Sequence, residues 1–123
     1  MSGVRLSKPW TDLSAPNIAA LPAQLGVYQI ADAEGRVLVI GYAGGRELFG
    51  LRSALERELE RPGATSFRHE LTHGYMTRWE ELIMIHQADH GRLPDGNQDH
   101  LHPVGRLTID GSAPPLDSPA NGE

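Results

Sequence analysis

The chain has 123 residues, 39% of them hydrophobic and 22% charged, with a formal net charge of −5 and a pI near 5.6; this is one domain's length, enough for a modest core. It contains no cysteine, which excludes disulfide staples, thiolate zinc sites and cysteine nucleophiles. No apolar stretch reaches membrane-spanning length and the start "MSGVRLSKPWTDLS" lacks a signal-peptide core, so a cytoplasmic protein without a membrane partner is expected.

In chain order, residues 1–20 read as an N-terminal extension with prolines at Pro9 and Pro16 and packing anchors at Trp10 and Ile18. Residues 21–93 form the compact unit. "GVYQIAD" (Gly26–Asp32) is rich in strand formers and is followed, past a turn at Glu34-Gly35, by the apolar run Val37–Tyr42. The pair reads as an antiparallel hairpin. Arg46–Gly63 carries Leu48, Leu51, Leu55 and Leu59 at helical spacing and ends at Pro62-Gly63, which predicts an amphipathic helix weakened in its first turn by Gly50. Thr65–Thr72 alternates like a third strand. Met76–Gly91 predicts a second helix, with Thr77 as N-cap and Gly91 as stop. Residues 94–123, rich in Gly, Pro, Asp and Asn, read as a largely flexible tail. The expected class is α+β, a small three-stranded antiparallel sheet flanked by helices in the order β-β-α-β-α.

The stretch "VLVIGYAGG" (residues 37–45) ends a strand in glycines, yet Gly41, Gly44 and Gly45 lack the G-x-G-x-x-G spacing, and no P-loop lysine follows Gly45. Neither nucleotide-binding loop is supported. The glycines instead let the chain leave the strand without strain.

Taken together, Leu21-Pro22, Gly26-Val27-Tyr28, Val39-Ile40-Gly41 and Arg52, in that order and in a β-β-α-β-α arrangement, resemble the GIY-YIG nuclease family. That family includes excision-repair and homing endonucleases. The resemblance spans about residues 21–93. It implies a divalent-metal-dependent phosphodiester hydrolase acting on DNA, with Mg²⁺ or Mn²⁺ polarising the phosphoryl oxygen and a fixed cation offsetting the charge that grows in the transition state. Residue by residue, Tyr28 falls on the first motif tyrosine and Arg52 on the arginine. Glu81, or alternatively Glu80, falls near the metal glutamate, and Gly41, Tyr42 and Arg46 fall beside the substrate. Two positions depart from the pattern: Val39 stands where the second tyrosine is found, and Trp79 stands where direct alignment places the glutamate. A valine neither donates nor accepts a proton. The expectation is therefore a nuclease-like protein acting on or binding nucleic acid with impaired or altered cleavage. The alternative is a binding module of the same fold for a protein or small ligand.

Six histidines remain. His69, on the third strand, is placed to serve as a general base if it points inward. His86 and His90 share one helical face at a spacing able to hold zinc, although no intervening glutamate makes an H-E-x-x-H motif. The other three are His73, His100 and His102.

Overall fold

A computed structural model describes residues 5–100. Its elements are β1 (Thr11–Asp12), α1 (Ala15–Ala19), β2 (Gly26–Ala31), β3 (Val37–Ala43), α2 (Leu51–Glu58), β4 (Ser66–Leu71), α3 (Tyr75–His90) and a closing 3₁₀ turn (Asp95–His100). The strands form one antiparallel sheet in the order β1-β4-β2-β3. The α+β class and the antiparallel sheet are as expected, but the sheet has four strands and not three. The additional strand, β1, is two residues long and pairs Thr11 with Phe67. So short a strand has no alternation from which to read it.

β2 is central, and all six of its residues are buried. Alternation then divides its side chains between two layers. Tyr28 and Ile30 join Ile18, Val39, Leu51, Leu55 and Phe67 beneath α1 and α2. Val27 joins Leu6, Ile40, Trp79, Leu82, Ile83 and Leu93 beneath α3. The β2–β3 turn is closed by Asp32, whose carboxylate accepts from the Glu34 and Arg36 backbone amides, with Gly35 at φ 84°.

The first long helix is shorter than its leucine spacing predicts. It buries Leu51, Ala54, Leu55 and Glu58, a face of spacing three, one and three. Leu48 lies before the helix, 82% exposed, and Leu59 follows it, also exposed. Gly50, at φ 58° and against the Gln24 backbone, marks the break. α3 begins at Tyr75, preceded by Gly74 and without a side-chain cap, so Thr77 lies within it; Gly91, left-handed at φ 77°, ends it as predicted.

Both flanking segments contribute to the core. Leu6 and Ile18 are buried, as are Pro94 and Asn97. The segment read as a tail therefore packs on the sheet as far as Asn97. Residues 101–123, with His102, lie outside the described residues. Among the described residues, no helix is long and apolar enough to cross a membrane.

Candidate functional site

Tyr28 sits opposite Gly41 on β3 and His69 on β4, so its ring and the His69 side chain leave the sheet on the same side. The phenol lies across Gly41: a Cβ there would stand 2.4 Å from the ring. This contact gives a physical reason for glycine at the end of "VIG". The Tyr28 hydroxyl donates to Glu58 Oε2 at 2.9 Å. Glu58, itself buried, also accepts from Arg61 Nε and Nη2. Burial first, and the Glu58 carboxylate second, push the Tyr28 phenol far above its ordinary range. It stays protonated and committed to Glu58.

His69 is half-buried beside Phe67. Burial and the charge of Lys8 push its imidazole below the ordinary range, leaving it neutral at pH 7. Val39 is buried in the same layer, so the second tyrosine position is filled by packing.

Tyr42 points to the other layer. Its ring stacks on Tyr75 at 5.5 Å and meets Trp79 edge-on at 5.5 Å, while Trp79 Nε1 donates to the Ile40 carbonyl. Glu80 and Glu81 are on α3, which packs on the face opposite Tyr28. Glu80 is exposed, and Glu81 accepts from Arg78, which also holds Glu70. The structure thus keeps Tyr28 and His69 together and separates Glu80 and Glu81 from them. No group of three or more His, Asp or Glu is placed to hold a metal among the described residues, and Glu81 is already compensated by a guanidinium. These donors do not fit the Mg²⁺ or Mn²⁺ that the resemblance implies.

A second grouping lies at one end of the sheet. Gly26 is in register there with Ala43 and with Leu71, and both α2 and α3 start from that end after glycines without side-chain caps. The loop between β3 and α2 carries Arg46, Leu48 and Phe49, and Arg52 follows in the first turn of α2. Six arginines pair with carboxylates: Arg5, Arg36, Arg57, Arg61, Arg78 and Arg92. Arg68 instead stacks on Trp10 at 4.1 Å and donates to Gln29. Arg46 and Arg52 have no carboxylate partner among the described residues. The Arg52 guanidinium lies 5.3 Å from the ring centre of Phe49, which is 49% exposed, and its Nε finds no hydrogen-bond partner among the described residues. Arg52 against an exposed ring, with Arg46 uncompensated in the same loop, makes an anion-attracting segment on an otherwise acidic chain.

Sequence reasoning missed Glu58, Arg61 and Asn97. Glu58 lies seven residues after Leu51 on the buried helix face, and that spacing was its available signal. Fully buried Asn97 accepts from the Ile40 amide at 2.7 Å and donates to the Ile40 carbonyl at 2.9 Å. A loop residue pairing with a strand 57 positions earlier leaves no local trace.

A family model described as a domain of unknown function (DUF7508) matches residues 4–89. No curated protein and no solved structure matches the chain.

Proposed function

Because the chain belongs to the DUF7508 family, whose description leaves function open, we propose from its own geometry that it is a cytoplasmic module on a GIY-YIG-like scaffold that binds nucleic acid with phosphodiester cleavage impaired. The observation that carries the binding is that Arg46 and Arg52 are left without carboxylate partners among the described residues, with Arg52 over exposed Phe49. Arginine matches phosphate geometry, and a neighbouring ring accepts a stacked base. The scaffold reading is supported by the central β-β-α-β-α order and by Tyr28 lying over Gly41, which joins the two motifs physically. Impaired cleavage follows from the commitment of Tyr28 to Glu58, from buried Val39, and from Glu81 lying across the sheet in an ion pair.

Fluorescence anisotropy with a labelled DNA oligonucleotide at low salt tests the binding. Saturable binding is expected, and each of Arg46→Ala and Arg52→Ala is expected to lower the slope of log affinity against log salt by about one. Absence of binding, or binding indifferent to the double variant, would overturn the reading. Supercoiled plasmid with Mn²⁺ should stay intact; cutting that is lost in Arg52→Ala and Glu81→Ala would restore a catalytic site. A protein-binding module is the second reading, favoured by Leu48 standing 82% exposed in the same loop.

A further inference from the structure

The proposed nucleic-acid surface leaves one sequence feature unused: the histidine pair near the end of α3. His86 and His90 are one helical turn apart, and their ring centres lie 4.3 Å from each other. A neighbouring carboxylate that could have engaged them, Asp89, is instead held by Arg5 through both oxygens at 2.6 and 2.9 Å. The two rings line a cleft of about 320 Å³ on one side, with Gln29, Arg68 and Leu82. They also line a second cleft of about 310 Å³, with Val37, Leu93 and Asp95. Both imidazoles are therefore reachable from open space, and no hydrogen bond occupies either ring among the described residues.

We infer that His86 and His90 form a two-imidazole site for a borderline divalent cation of the Zn²⁺, Ni²⁺ or Cu²⁺ type, at the junction of the last turn of α3 and the segment that follows it. Imidazole nitrogens on residues four apart project from one helix face and meet a single ion at about 2.0–2.1 Å each. Imidazole ligands suit these ions, whereas Mg²⁺ and Ca²⁺ prefer oxygen. The remaining coordination positions face the cleft, where water completes the shell. Asp95 in the same cleft is bridged to Arg92, and Arg36 also lines it, so the two imidazoles are the protein's only ligands to the ion among the described residues. The site lies on the opposite sheet face from Tyr28 and is independent of nucleic-acid binding.

Isothermal titration of the purified, untagged full chain with Zn²⁺, and separately with Ni²⁺, tests the inference. One ion per chain is expected, with affinity lowered about tenfold or more in His90→Ala. His90 is exposed, so that variant should fold as the parent does, which circular dichroism checks. His73→Ala, at another exposed histidine, should bind like the parent. The Hε1 resonances of His86 and His90 should shift or broaden together on adding the ion. Lack of any titratable binding, or binding unchanged in His90→Ala, overturns the site; loss in His73→Ala but not in His90→Ala relocates the ion and overturns it equally.

Discussion

At the scale of single residues, the Tyr28–Glu58–Arg61 contact is the most consequential polar feature of the interior. A phenol donating to a buried carboxylate that an arginine also holds satisfies all three groups. Removing one leaves the others unsatisfied away from water. Tyr28→Phe should cost about 1–3 kcal/mol of stability, read from urea denaturation. Glu58→Ala should cost more, since it strands the phenol and a partly buried guanidinium together. His69 supplies a pH dependence. Its folded pKa lies below the unfolded value of about 6.5, because burial and Lys8 disfavour the cation. Between the two values the unfolded chain binds more protons, so stability rises with pH there. The contribution is complete above about pH 6.5 and is lost as pH falls below it. Urea midpoints at pH 7.5 and 5.5 should therefore differ less in His69→Gln than in the parent; an equal difference would remove His69 as the source.

At the scale of elements, Gly41 shows why two strands carry their particular residues opposite one another. Gly41→Ala forces a methyl to 2.4 Å from the Tyr28 ring, and such overpacking costs about 1–3 kcal/mol. In a Tyr28→Val background most of that cost should vanish, a coupling that a double-mutant cycle measures directly. The hairpin containing both residues was legible in the sequence, because strand formers alternate around a turn closed by Asp32 and Gly35. The leucine spacing from Leu48 to Leu59 misled, since Gly50 breaks the chain before the helix and a periodicity count does not register one residue at positive φ. β4 was legible as alternation, and its partner β1 was too short to be. Of the expected site, the sequence placed Tyr28, Gly41 and Arg52 on the correct elements. It could not reveal that Glu81 faces Arg78 across the sheet from Tyr28, because a helix's position relative to a sheet is not a local property.

At the scale of the whole molecule, charge is distributed unevenly despite the net −5. Among the described residues most arginines are neutralised in place and Arg68 is held by Trp10 and Gln29, whereas Arg46 and Arg52, without carboxylate partners, lie at the sheet end from which α2 and α3 start. The proposed association with nucleic acid should accordingly be weak, with a slope of log affinity against log salt of only about two. The matched family segment stops at residue 89, whereas the packed interior continues to Asn97. That asparagine does for β3 what another strand would otherwise do: it fills the outward amide and carbonyl of Ile40, with Trp79 sharing the carbonyl. β3 is one edge of the sheet, the other being β1. Asn97→Ala should cost about 1–3 kcal/mol. A chain cut after residue 93 would go further, presenting an apolar strand edge with open hydrogen-bonding groups to any second copy. Size-exclusion chromatography of that fragment should show self-association absent from the full chain. The short turn after α3 thus acts as a guard against the molecule polymerising through its own sheet.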